Sequence, residues 1–215
     1  MTPTHIQAAA LQRARRRLLA GSAAMIAMPA FIRNARALER LRLTPSQTEG
    51  PFYPLTLPAD TDADLLAQGA LRYTQGQPAW LEGSVTDAAG RPLNGGVVEI
   101  WQCDQQGHYH HPGDGGRADP SFQGFGRASV GADGSYRFRT IRPAHYAGRT
   151  PHIHVKVKLA QRELLTTQMY VEGDPHNAGD SIWRRLNAAD RAALTRAFEP
   201  AADGQRARFD LVVEA

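Results

Sequence analysis

The sequence predicts an all-β protein, a β-sandwich with an extended N-terminal arm and one late short helix. Three observations lead there. From Trp80 onward, short alternating or β-branched runs recur at regular intervals between turn-forming clusters. The 215 residues include 20 Gly and 14 Pro, the composition of a chain that turns often. Only Asn187 to Phe198 has helical spacing. Strands in series with a single late helix fit two packed sheets.

The elements follow in order. Residues 1–37 hold Arg13, Arg15, Arg16, Arg17, Arg33 and Arg36 and no acidic residue. Arg15-Arg16-Arg17 precede a mildly apolar run, Leu18 to Ala30, and Ala35-Arg36-Ala37 offers a small-x-small cleavage site. This is the layout of a signal peptide, and the consecutive arginines point to the Tat export route and a periplasmic or extracellular destination. A basic tail is the alternative. The apolar run is too short and too rich in Gly, Ser and Ala for a membrane span.

Residues 38–79 are read as an extended arm, because the prolines around Thr44-Pro45 and Gly50-Pro51-Phe52-Tyr53-Pro54 prevent a long helix. The sandwich then occupies 80–215. Trp80 to Thr86 alternates as a strand, and Asp87 to Pro92 supplies a turn. Val97 to Trp101 is β-branched and aromatic. After a long loop to about Gln123, Arg127 to Val130 and Ser135 to Thr140 flank Gly131-Ala132-Asp133-Gly134 and predict a hairpin. His152 to Leu159 and Leu164 to Val171 are two further strands. Asn187 is placed to cap the helix, and Phe209 to Val213 closes the series.

Hydrophobic residues make up 42% and charged residues 21%, as in a folded globular protein. The formal net charge of +4 belongs to the leader. Removing its six arginines from the 25 basic side chains leaves 19 against 21 acidic ones, a net of −2. Nucleic-acid binding thereby loses its main support. Cys103 is the only cysteine, which excludes an internal disulfide and a thiolate-rich metal site.

Pro151-His152-Ile153-His154-Val155 is the sharpest local feature. Residues two apart on a strand share a face, so His152 and His154 can bind one ion while Ile153 points into the opposite layer. The same pair also suits two solvated or hydrogen-bonded histidines. Tyr146 lies six residues before His152, and Tyr109 stands in Gly107-His108-Tyr109-His110-His111. Spacing alone does not select these tyrosines, since a lone loop Tyr is usually a packing residue.

The run Gly95-Gly96-Val97-Val98-Glu99-Ile100-Trp101-Gln102 followed by Gly107-His108-Tyr109 closely resembles the first ligand signature of the intradiol ring-cleavage dioxygenases. The likeness continues through Asp119-Pro120-Ser121-Phe122, Gly134 to Pro143, Arg149-Thr150-Pro151-His152-Ile153-His154 and Gln168 to Pro175. It covers about Thr44 to Pro175 in order, with particular likeness to the iron-bearing β subunit of protocatechuate 3,4-dioxygenase. The resemblance implies an Fe(III) enzyme that opens a catechol-type ring with O2, between the two hydroxyl-bearing carbons, to a cis,cis-muconate-type product.

By the same resemblance Tyr109, Tyr146, His152 and His154 are the implied iron ligands. Tyr146 is the one implied to leave the metal and take a substrate proton. Arg149 is implied beside the substrate, Gln168 in a supporting or oxygen-pocket position, and Gly50 and Pro51 in an arm lining the pocket. His111 is a candidate for a supporting hydrogen bond, whereas His108, His110 and His145 suit surface or outer roles. Asp174 and His176 are expected to shape a turn. A homo-oligomer is the implied assembly. The donor set is chemically coherent, because two phenolates and two neutral imidazoles suit ferric iron, which in turn keeps both tyrosines ionised below their free pKa of about 10.

Two departures bear on the substrate. The segment from Tyr146 to Arg149 is much shorter than in the protocatechuate enzymes, and no helical dimerisation region of the catechol 1,2-dioxygenase kind is evident. Two other readings compete. Gly83-Ser84-Val85-Thr86-Asp87 with Gly90 to Leu93 also resembles prealbumin-like adhesion or carbohydrate modules, which would be colourless and iron-free. A cupin-like ferrous or zinc enzyme would use His152 and His154 with a third His or a carboxylate.

Overall fold

The computed structural model describes residues 40–215. The arginine-rich leader, the run Leu18 to Ala30 and the Ala35-Arg36-Ala37 motif lie outside them. Two five-stranded sheets form the body. In the first, β3 (Pro78–Asp87) is central. It pairs antiparallel with β6 (Ser135–Ile141) on one side. On the other side it pairs parallel with β11 (Gly204–Arg208) and then β12 (Leu211–Val213). β10 (Glu199–Ala201) edges β11.

The second sheet runs in the order β5 (Phe125–Ser129), β4 (Gly96–Trp101), β7 (His152–Leu159), β8 (Arg162–Val171) and β9 (Thr195–Arg196). Leu81, Val98, Ile100, Phe138, Ile153, Val155, Val157 and Met169 are fully buried in the core. Each strand contributes alternate residues to it, as a sandwich requires.

The sandwich is as the sequence predicts, with four local corrections. The turn Gly131–Gly134 does not close a hairpin: β5 pairs with β4, whereas β6 pairs with β3 in the other sheet. Turn chemistry is local, and the choice of sheet is set by long-range pairing. A second short helix, α1 (Ser181–Arg185), precedes the expected one, α2 (Ala188–Leu194). Asn187 caps α2 as anticipated, but the helix ends at Leu194, because Thr195 and Arg196 pair with Tyr170 and Val171. The charged strands β10 and β11 carry no apolar alternation, and the closing strand starts at Leu211.

The segment from Arg40 to about Asp60 has no regular secondary structure. A small ladder of β1 (Ala67–Gln68) and β2 (Leu71–Arg72) precedes the body. The segment crosses the outer face of the second sheet and is tied down along its length. Thr44 exchanges bonds with Val212, the Gln47 amide donates to Thr166 O at 2.9 Å, and Gln168 Nε2 donates to Thr48 O at 2.8 Å. That cover explains why His152 through Val157 are all buried, on both faces of β7.

Candidate metal centre

Cross-strand register builds the site on the covered face of the second sheet. Trp101 of β4 lies opposite His154 of β7, which lies opposite Gln168 of β8; the next row pairs His152 with Tyr170. Residues opposite one another present their side chains on one face. Ile153 points into the core, as the strand period requires.

The two imidazoles converge. His152 Nε2 and His154 Nε2 are 3.1 Å apart, and both side chains are 1% exposed. Two metal–nitrogen bonds of about 2.0–2.1 Å at roughly a right angle separate the nitrogens by about 3 Å. His152 Nδ1 donates to the Thr150 carbonyl at 2.6 Å, which leaves its Nε2 lone pair free. Burial holds the His152 imidazole down to about 4, and burial together with His152 holds His154 well below the usual value. Both are therefore neutral near pH 7, as ligands must be. Trp101 stacks on His154 at 4.8 Å, 8° from parallel.

The tyrosines arrive from loops. Tyr109 follows β4, is 2% exposed, and packs edge-on against Tyr146 at 5.0 Å. Phe52 of the arm stacks on Tyr109 at 4.6 Å and meets Tyr146 edge-on at 5.9 Å. Tyr109 lies 6.1 Å from the His154 ring and Tyr146 5.5 Å from His152, so all four predicted ligands cluster. Tyr109 Oη is buried without a hydrogen bond of normal geometry, although the Tyr146 hydroxyl lies near enough to act on it. Burial pushes both phenols above their ordinary value. Such a buried hydroxyl between phenol and imidazole rings is costly by itself. A hard cation would use these atoms, so the residues present fit ferric iron. Among the described residues no group of three or more His, Cys, Asp or Glu could hold a metal, so His152 and His154 gain no third ligand of the cupin kind there.

Tyr146 and Arg149 face each other across the turn Ala147–Gly148. Arg149 is held from two sides, by Asp180 Oδ2 at 2.7 Å and by Gln168 Oε1 at 2.6 Å. Gln168 also accepts from Tyr170 Oη at 3.1 Å. Gln168 is thus placed behind Arg149 and under the arm. Gly50, at φ +73, approaches His154 so closely that an added Cβ would lie 3.4 Å from its Cε1, while Pro51 is exposed.

The other candidates lie further out. His111 Nδ1 accepts from Gly113 N–H and caps the short turn Pro112–Asp114, with its ring edge-on to Phe52. His110 bonds to Asp119 O, and His108 Nδ1 lies 3.4 Å from Asp114. His145 stacks on His176, which pairs with Asp174, the cap of the turn Pro175–Gly179. Sequence reasoning missed Asp180 and gave no role to Phe52, Trp101 or Tyr170. An Asp before Ser181-Ile182-Trp183 is a cap signal, but a five-residue helix leaves too little periodicity to reveal it.

A second polar cluster pins the arm beside the site. Glu99 is fully buried and accepts from Tyr53 Oη at 2.8 Å, with Arg127 Nε 3.1 Å away. Lys156 pairs with Glu49 and with Glu163, and lies 3.9 Å over the Tyr53 ring. No helix among the described residues is long and apolar enough to cross a membrane.

Comparison with known proteins shows the family. A family model described as "Dioxygenase" matches residues 48–215. The chain is 32% identical over 197 residues to hydroxyquinol 1,2-dioxygenase of Corynebacterium glutamicum, covering 76% of this chain and 61% of that protein. It is 38% identical over 135 residues to the protocatechuate 3,4-dioxygenase beta chain of Burkholderia cepacia, covering 57% of each. It therefore spans about three-fifths of the length of these curated relatives. Among solved structures, the dioxygenase domain of a dioxygenase–carbohydrate-binding fusion from Streptomyces sp. SirexAA-E matches at 34% identity. That match has a TM-score of 0.65 and covers 81% of this chain and 99% of that one.

Proposed function

The chain belongs to the intradiol ring-cleavage dioxygenases, and from that premise we propose that it cleaves a catechol-type ring between the hydroxyl-bearing carbons, with ferric iron held by Tyr109, Tyr146, His152 and His154. The carrying observation is the convergence of two neutral imidazoles, 3.1 Å apart at Nε2, with two mutually packed tyrosines, one of which has a buried hydroxyl without a hydrogen bond of normal geometry. Bound there, ferric iron would chelate the two catechol oxygens and make the ring reactive towards O2.

The chain's own residues then have distinct tasks. His152 and His154 stay neutral and fixed, one by Thr150 and the other by the Trp101 stack. Tyr109, wedged between Phe52 and Tyr146, holds its position throughout. Tyr146 is less buried, stands at a turn, and accepts a catechol proton at Oη. Arg149 supplies a fixed positive charge beside the ring, with Gln168 and Asp180 behind it. The arm at Gly50, with Pro51 next to it, closes the His154 side and limits water. The reaction needs no external reductant, because the ring C–C bond breaks as both atoms of O2 enter the product.

Hydroxyquinol and protocatechuate are substrates named for the relatives, and ring substituents compatible with the short Tyr146–Arg149 turn are proposed for this chain. We also assign residues 1–37 to Tat export and expect a homo-oligomer. The deciding experiment combines iron analysis, visible spectroscopy and oxygen uptake over substituted catechols, with the product identified. A colourless, iron-free protein that cannot be reconstituted, or extradiol products, would overturn the proposal. Fusion of the leader to a Tat-dependent reporter, with Arg15-Arg16-Arg17 changed to Lys, tests export.

A further inference from the structure

Asp180 is fully buried, and its carboxylate has four donors. Oδ1 accepts from the backbone N–H groups of Ile182 and Trp183 at 2.8 and 2.9 Å, capping α1. Oδ2 accepts from Arg149 Nε at 2.7 Å and from the Thr150 N–H at 2.9 Å. A cap requires one oxygen, and Ser or Asn would provide it without burying a charge. The second oxygen is taken up wholly by Arg149 and Thr150.

Thr150 is held at every polar atom. Its N–H bonds to Asp180, its hydroxyl to Asn177 Oδ1 at 2.7 Å, and its carbonyl accepts from His152 Nδ1 at 2.6 Å. The contact with His152 selects the tautomer and the ring rotation that aim Nε2 at His154. Arg149 gives Nε to Asp180 and one terminal nitrogen to Gln168, which together fix the plane of its guanidinium.

We propose that Asp180 is a positioning residue: one carboxylate oxygen fixes both the Arg149 fork and the Thr150 backbone, and through them the cation beside the substrate and the imidazole facing the metal. The inference rests on the intradiol reading of the site. A buried carboxylate with an arginine partner is weak as a stability device, since an apolar replacement is often neutral or better. Its presence here is explained by where it holds Arg149 and Thr150.

The test compares iron-loaded wild type with Asp180→Asn and Asp180→Ser, both of which keep an oxygen able to cap α1. Tyr136→Phe serves as the structural control, because it removes a buried hydrogen bond to the Phe209 carbonyl in the first sheet and leaves every contact of Asp180, Arg149 and Thr150 intact. For each protein kcat and KM with the best catechol, the rate of iron loss to a chelator and the Tm are measured. In both Asp180 variants kcat falls by about tenfold or more, KM changes far less, and iron is lost about tenfold faster or more. Tyr136→Phe, at a comparable loss of Tm, keeps both properties near wild type. Wild-type kcat and iron retention in either folded Asp180 variant overturn the proposal. So do losses that follow Tm alone, with Tyr136→Phe losing as much at the same Tm. A wild-type protein without bound iron or catechol cleavage instead overturns the reading of the site itself.

Discussion

Tyr146 and Arg149 are partners across a two-residue turn, with the Arg149 amide donating to the Tyr146 carbonyl at 2.6 Å. Ala147 and Gly148 both take positive φ, +42 and +76, as the tight hairpin turn requires. The turn therefore sets the distance between the proposed mobile ligand and the fixed cation. Little chain is available on that side to wall off ring substituents.

Ala147 is one of two non-glycine residues with positive φ among the described residues. A left-handed conformation costs an L-residue roughly 1 kcal/mol, and glycine almost nothing. Ala147→Gly should be neutral to about 1 kcal/mol stabilising, with activity retained. Gly148→Val should destabilise by about 1–2 kcal/mol and lower kcat as the turn opens and Tyr146 moves from Arg149. Urea titration with steady-state kinetics checks both.

The Tyr109 hydroxyl makes no hydrogen bond of normal geometry within the chain, its nearest polar neighbour being the Tyr146 hydroxyl. Tyr109→Phe should therefore leave the iron-free protein as stable as wild type, or more so. The same change should remove much of the visible tyrosinate-to-iron absorption and most activity. Unchanged colour and turnover would sink the assignment of Tyr109.

Glu99 is buried under the arm with Tyr53, Arg127 and Lys158 around it. Arg127 and Lys158 are part-exposed and can turn to water, so Glu99→Ala mainly strands the Tyr53 hydroxyl and should cost about 1–3 kcal/mol. Loss of the Tyr53 anchor should also speed proteolysis between residues 40 and 58. Limited digestion followed by mass spectrometry reads that directly.

Acid sensitivity should arise partly at surface turns. The Arg91 amide and then its side chain hold Asp87 below the usual carboxylate value, and Ser135 does the same for Asp133. With a folded pKa below the unfolded one, each contributes stability above about pH 4 that is lost as pH falls through the folded value. Asp87→Asn should flatten the decline of Tm below pH 4. An unchanged slope would remove Asp87 from the account.

The sandwich could be read from alternation and turn residues because a strand's period is local. His152 and His154 share a face for the same reason, and Ile153 faces the core. Asn187 announced its helix by cap chemistry. Tyr109 and Tyr146 carried no periodic signal and stood out through their motif context alone.

Only the tertiary structure decided the rest. It placed β5 and β6 in different sheets, laid the arm over the second sheet and brought Gly50 against His154. It also set Asp180 behind both Arg149 and Thr150, 30 residues or more away in the chain. A strand's own residues can specify which way its side chains point. Which distant carboxylate, aromatic ring or segment meets them depends on packing, and packing between remote segments leaves no period in a single sequence.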